Sequence, residues 1–264
     1  MPASSLIDIL PEEQTVYLKM DVRSNLDLMG QIFNQKGDFG GMIGEAMART
    51  DAVLVALTIP EDESREFSVV ASGSYPKGII ESRLKKDKTW KKEKKGFIHW
   101  KNEEMGLQMF FPEKNVIALS NGNIGRIADR ISAGERYSLP RELRHELDIS
   151  DLVFFMPDPG KEIMSSVGGG SRIYPIRMIW VTMYNQSMDV VFLMDDEENA
   201  GKFSKVARLL IAALMMREEV GDIKELRKNM KVFVDGKNVR LEDIPVSTED
   251  LQKIFAGSLA GAVE

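Results

Sequence analysis

The chain runs to 264 residues, 43% of them apolar and 29% charged, with 21 glycines and 10 prolines; this balance belongs to an ordinary globular protein of one large or two small domains and excludes collagen-like, disulfide-stapled and wholly disordered chains. There is no cysteine, which removes thiol nucleophiles, iron–sulfur clusters and cysteine zinc sites, and His99 and His145 are the two imidazoles. A net charge of −6 and a pI near 5.3 argue against whole-surface attraction to nucleic acid, so any anion binding has to be local.

Thr15 to Asp21 is rich in β-formers and predicts a strand. Ser24 or Asn25 then caps a helix with the apolar stripe Leu26, Met29 and Phe33, and after Gly37 and Gly40-Gly41 a second helical piece carries Met42 to Met47. Ala52 to Thr58 reads as a nearly continuous apolar strand that turns at Pro60 to Glu63 toward a hairpin partner, Phe67 to Ala71. A helix over Lys77 to Lys86 points Ile79, Ile80 and Leu84 inward. Phe97 to Trp100 and Leu107 to Phe111 form a hairpin about Glu104-Met105-Gly106, and Val116 to Leu119 is a strand stopped by Asn121-Gly122. The helix that follows carries Ile124, Ile127 and Ile131 toward the core.

After Gly134 the order repeats. A short helix, Arg141 to Leu147, leads into the strand Leu152 to Met156, then a helix over Gly160 to Ser166 ended by Gly168-Gly169-Gly170. Ile176 to Met183 and Met188 to Leu193 make a hairpin across Tyr184 to Ser187. Glu197-Glu198 open a helix at its positive end, with Phe203, Val206, Leu210 and Leu214 inside; the strand Lys231 to Val234 stops at Asp235-Gly236, and a helix over Thr248 to Phe255 closes the chain. The correspondence is one of order and pattern, with little residue identity. The expected fold is therefore α+β: two tandem β-α-β-β-α-β-like, split ferredoxin-like units with largely antiparallel sheets, over residues 1–134 and 135–264.

The longest apolar run, Val206 to Met216, is broken by Arg208 and ends at Arg217, short of the roughly 18 residues a membrane-spanning helix needs. Met1 to Ser5 lacks the basic and apolar regions of a signal peptide. Two origins fit: a cytoplasmic protein, or a chain cut after a signal peptide with Met1 added, which also loses the lipid-bearing cysteine of a bacterial lipoprotein.

The most distinctive local feature is Arg83 to Lys95, with eight basic and two acidic residues on a molecule of net charge −6. Its candidate anion-binding residues are Arg83, Lys85, Lys86, Lys88, Trp90, Lys91, Lys92, Lys94 and Lys95, the lysines and arginine for phosphates and the indole for an interface or a base. Helical spacing would gather Lys85, Lys88 and Lys92 on one side and send Lys86, Trp90 and Lys94 elsewhere. The plainer reading is a solvated helix end and loop whose lysines keep an edge soluble. Ser74-Tyr75-Pro76-Lys77 and Ser82-Arg83-Leu84-Lys85 match the Ser-x-x-Lys spacing of penicillin-recognising enzymes, but no Ser-Asp-Asn or Lys-Thr-Gly accompanies them. His99, between Ile98 and Trp100, and His145, on a charged helix, have no second ligand at strand or helix spacing, so no metal is expected. The glycine clusters lack both dinucleotide and Walker patterns. Glu61-Asp62-Glu63 and Asp195 to Glu198 suit turns and helix starts, and neither has the spacing of a calcium loop.

Leu10-Pro11 before the strand Val16 to Asp21, the stretch Ala71 to Gly78 and Ser120-Asn121-Gly122 resemble poorly characterised exported bacterial families, including lipoproteins of the spirochaete type, built from tandem α+β units. The resemblance implies a location, the cell envelope, and carries no catalytic residue. The expected function is that of a non-enzymatic envelope protein, without cofactor, that holds an unknown protein, lipid or small-molecule partner through the groove between its copies or through the basic segment. The alternative is a cytoplasmic module whose residues 83–95 meet nucleic acid or another polyanion. An enzyme working with carboxylates stays open, since such pairs leave no sequence signature.

Overall fold

The computed structural model describes residues 2–12, 14–25, 48–58, 66–159, 174–184, 187–217 and 229–247. The helices expected after Ser24, over Gly160 to Ser166 and over Thr248 to Phe255 lie outside them, as does the turn at Pro60 to Glu63. The chain divides into two compact units, Met1–Ile149 and Ser150–Glu264.

The first unit opens with a short helix α1 (Ala3–Leu6) and a 3-10 turn (Ile7–Ile9), followed by strands β1 (Val16–Asp21), β2 (Thr50–Thr58) and β3 (Glu66–Gly73). Helix α2 (Lys77–Lys86) precedes β4 (Trp90–Lys95), β5 (Phe97–Asn102), β6 (Leu107–Glu113) and β7 (Val116–Ser120), and α3 (Gly125–Ala133) and α4 (Arg141–Ile149) end the unit. Its strands lie in the order β1-β2-β3-β7-β6-β5-β4, with every neighbour antiparallel. One face of the sheet buries Tyr17, Leu54, Ala56, Val70, Phe110 and Ala118, which the register aligns across the strands. α1 packs on β2 and β3, α4 on α1, and α3 on the 3-10 turn, so Leu6, Ile7, Leu10, Ile124, Ile127, Leu143 and Leu147 complete this core. The opposite face carries Leu18, Val53, Val55, Leu57, Val69, Ile117 and Leu119, all half-buried. Apolar residues on both faces explain why β2 reads as a nearly continuous apolar run.

Polar ties hold the unit's N-terminal segment to its last helices. Asp8 accepts from Arg144 (2.8 Å) and from the backbone N–H of Tyr137 (2.8 Å), Arg144 also donates to the Tyr137 carbonyl, and Arg130 donates to the Asp8 carbonyl (3.2 Å) and pairs with Glu12 (3.1 Å). Beneath them Tyr17 donates to the Pro11 carbonyl (2.5 Å) and meets Tyr137 edge-on at 5.4 Å.

The second unit consists of β8 (Leu152–Pro157), β9 (Ile176–Tyr184), β10 (Ser187–Met194), α5 (Glu197–Arg217), β11 (Lys231–Asp235) and β12 (Asn238–Pro245). Its antiparallel strands lie in the order β8-β9-β10-β12-β11. α5 packs on β10, β11 and β12, with Phe203 against Phe192 (4.9 Å) and Tyr174 (5.0 Å). Asp196 caps it by accepting from the Asn199 N–H at 2.7 Å.

Several expectations are corrected. In a split ferredoxin-like unit the first strand lies between two later strands of its own unit and not beside its successor; here β1 pairs with β2, and β8 with β9, so each unit opens with three consecutive antiparallel strands before β7 joins β3 and β12 joins β10. Helix α2 buries none of its residues, and Ile79 is 57% exposed. Ile131 is exposed too, because Ala128 rather than Ile131 follows Ile127 on the buried face of α3. In α5 the inner residues are Ala200, Phe203, Ala207, Ile211 and Met215, while Val206 and Leu210 are half-buried. Small alanines let the helix lie close to the sheet, which a search for large apolar side chains overlooks. β12 was not expected as a strand at all.

Two outcomes follow from the polar ties. Burial pushes the Tyr17 hydroxyl above its ordinary 10.0; a raised folded value means its contribution is whole below pH 10 and is lost as pH rises beyond it. The thermal midpoint should fall above pH 10, and fall less steeply in Tyr17→Phe, as followed by circular dichroism. Replacing Asp8 by Ala strips a carboxylate partner from Arg144 and the acceptor from the Tyr137 N–H and should destabilise the unit by about 2 to 3 kcal/mol in urea unfolding.

Candidate functional site

The sequence-predicted basic residues divide between two elements. Arg83, Lys85 and Lys86 occupy the last turn of α2, where cations oppose the helix's negative end. The helix stops at Asp87: its N–H donates to the Arg83 carbonyl and its carboxylate accepts from the N–H (3.0 Å) and hydroxyl (2.7 Å) of Thr89, bonds that hold the Asp87 pKa below the usual range. Lys88 lies in this turn. Trp90, Lys91, Lys92, Lys94 and Lys95 belong to β4, the outermost strand of the first unit. Helical spacing therefore does not apply beyond Lys86, and Lys92 stands with Trp90 and Lys94 instead of with Lys85 and Lys88.

Strand alternation sorts the charges of β4. Trp90, Lys92 and Lys94 share one face with Trp100 and Asn102, while Lys91 and Glu93 share the other with His99 and Lys101. On the first face Lys92 lies over the buried Trp100 ring at 5.6 Å, and no carboxylate of β4 opposes it. On the second, Lys91 pairs with Glu103 at 2.8 Å, which raises the lysine pKa and lowers that of the glutamate. Lys85, Lys86, Lys88, Lys92 and Lys94 are exposed, and none of them has an ion pair among the described residues. α2 packs on β4 and reaches the Trp100 face of the sheet, where Lys77 lies over Phe111 at 5.3 Å. The basic end of α2 and the lysine face of β4 thus form one margin of the unit.

Sequence reasoning missed a cleft of about 630 Å3 on the other face, between the β4–β6 margin and α3. Buried His99, Ile124 and Ala128 form its floor; Glu93, Phe97, Lys101 and Gln108 line one wall and Asn123, Asp129 and Ser132 the other. His99 is 4% exposed; its Nε2 faces Glu93 at 3.6 Å, its ring lies 5.1 Å from Phe97, and its Nδ1 has no hydrogen-bond partner. The available signal was the alternation of Phe97, His99 and Lys101, which puts all three on one face. His145 is exposed on α4. Ser74 and Lys77 flank the entry to α2, where Pro76 is the N-cap and the Tyr75 hydroxyl bonds that of Thr50 at 2.8 Å.

The chain matches the family of the outer membrane-associated lipoprotein TP0453 over residues 3–251. No curated protein matches it. Among solved structures it is similar to crystal form III of TP0453, at 16% identity and a TM-score of 0.63 with 97% of this chain and 98% of that one covered. It is similar also to crystal form IV, at 18% identity and TM-score 0.64 with 97% and 96% covered, and to crystal form I, at 15% and 0.63 with 96% of each covered. At such identities the structures testify to a shared fold, and the family match over most of the sequence establishes kinship: the chain belongs to the TP0453 family of outer membrane-associated lipoproteins, whose place is the cell envelope.

Proposed function

We propose that this chain is a non-enzymatic envelope protein that presents the basic margin of its first unit to an anionic surface. The observation that carries the reading is the sorting of charge on β4: Lys92 and Lys94 stand beside Trp90 with no acidic residue of the strand between them, next to Lys85, Lys86 and Lys88 at the end of α2. Successive same-face lysines on a strand are about 7 Å apart, within the roughly 8 Å over which charges still sense one another at physiological salt. A planar anionic surface therefore meets them as a group. Membership of an outer membrane-associated family supports a lipid surface over a nucleic acid as the polyanion. Among the described residues no helix is long and apolar enough to cross a membrane, which suits contact at the surface.

We also read the two units as copies of one ancestral unit. β1-β2-β3-β7 and β8-β9-β10-β12 follow the same antiparallel order, and β1 and β8 carry the same sequence of buried and half-buried positions. The extra strands β4 to β6 of the first unit are where the basic margin and the cleft arise.

Cosedimentation with vesicles containing phosphatidylglycerol tests the reading. Binding is expected at low salt and should fade as salt rises. At about 1 kcal/mol for each lysine near the membrane, Lys88→Glu with Lys94→Glu should weaken it by at least about thirtyfold. Lys91→Glu, whose charge Glu103 already offsets, should matter less. Binding equal to that of neutral phosphatidylcholine vesicles, or unchanged in the double variant, would overturn the proposal.

A further inference from the structure

The cleft over His99 holds opposite charges that do not meet. Lys101 on β5 and Asp129 on α3 belong to its two walls, and among the described residues neither makes an ion pair, the nearby Lys101 charge only helping to lower the pKa of Glu103. The remaining polar groups are only partly used. Gln108 spends its NH2 on the Gly122 carbonyl (2.7 Å), Asn123 spends its side-chain oxygen on the Gly125 N–H (3.0 Å), and the Ser132 hydroxyl donates to the Ala128 carbonyl (2.9 Å). These commitments leave an amide oxygen, an amide NH2 and a hydroxyl lone pair toward the cleft's own chemistry. At the floor the His99 Nδ1 is buried without a partner, which native proteins seldom leave unexplained.

We infer that this cleft binds a small zwitterion, a molecule that carries an ammonium and a carboxylate, such as a free amino acid or a short peptide. A simple anion would answer Lys101 but meet the carboxylates of Glu93 and Asp129, and a simple cation would answer the carboxylates but meet Lys101. A neutral polyol would leave Lys101 and Asp129 answered by water alone. One molecule bearing both charges satisfies both walls. The lining has few apolar groups beyond Phe97, Ile124 and Ala128, so an extended apolar ligand gains little there, while a volume of about 630 Å3 is ample for an amino acid or dipeptide. Phe97, half-buried beside His99, supplies a surface against which the ligand's short side chain can rest. The inference stands apart from the basic margin: Lys92 and Lys94 face the other side of β4, and either site can fail without the other.

With two histidines in the chain, the ring resonances of His99 and His145 give a direct reading by NMR. Alanine and the dipeptide alanylalanine are the probes; methylammonium, acetate and trehalose are the single-charge and uncharged comparisons. A saturable shift of the His99 resonances by either zwitterion, with His145 unmoved, is the expected result. Lys101→Gln and Asp129→Asn, conservative changes at half-buried and exposed positions, should each weaken that binding by about tenfold, with otherwise unchanged spectra showing that the fold is kept. A His99 signal indifferent to both zwitterions, a shift of equal affinity with acetate, methylammonium or trehalose, or affinity unaltered in both variants would overturn the inference.

Discussion

Everything distinctive about the first unit depends on the pairing of β4 with β5. Once Trp90 faces Asn102 and Lys95 faces Phe97 in antiparallel register, strand geometry leaves no choice about which side chains share a face. A shift of one residue would bring Glu93 among the lysines of the Trp100 face and carry Lys92 into the His99 cleft. Register is therefore a chemical specification here. It is held at one end by Gly96, whose φ of 78° suits the left-handed region that a tight turn between the strands requires. At the other end buried Asn102 donates to the Thr89 hydroxyl (3.0 Å) and accepts from the Met105 N–H (3.0 Å).

That pinning matters because β4 contributes little apolar surface of its own. The hairpin gains its burial from β5 and β6: Trp100 and Met109 on one face, and on the other Phe110, against which Phe97 packs edge-on at 5.1 Å. Two polar atoms, the Trp100 Nε1 and the His99 Nδ1, are buried there without partners. Each such group costs about 1 to 3 kcal/mol, comparable with what burial of one large side chain returns. The margin of the sheet is thus less strongly stabilised than β1 to β3, where Leu54, Ala56 and Val70 are buried with no such debt.

Elements made of β-formers or apolar runs bounded by turn residues were largely legible in the sequence; β4, made by pairing alone, was not. β1, β2, β3, the β5–β6 and β9–β10 hairpins and the bounds of α2 could be read because β-formers or apolar runs end at Gly, Asn or Pro. The α+β class followed from them, and the envelope location followed from the family resemblance. β4 offers Lys, Lys, Glu, Lys and Lys, with no alternation to detect, and is a strand because Gly96 folds it back on Phe97. β12 did carry a signal: Val239 and Leu241 alternate with Arg240 and Glu242 just after the Asp235-Gly236 turn. Asp243, at a φ of 60°, then interrupts the alternation before Ile244. The nine basic-segment residues were found from composition, but their division between a helix end and a strand face depends on the hydrogen bonds of Asp87. The cleft was invisible because its walls, β4 to β6 and α3, come together only in the tertiary structure.

An outermost strand must discourage further strands from adding to it, and lysines do so by resisting desolvation. Edge protection alone, however, asks only that charge be present along the strand, on either face. In β4 the acidic residue and the paired Lys91 fall on the His99 face, while the Trp100 face keeps Lys92 and Lys94 with no acid of the strand, beside three further lysines of α2 and its turn. A molecule of net charge −6 thereby keeps one locally positive margin. The same alternation that concentrates positive charge on that face delivers Glu93 to the cleft on the other, so the two candidate sites are the opposite sides of one strand register.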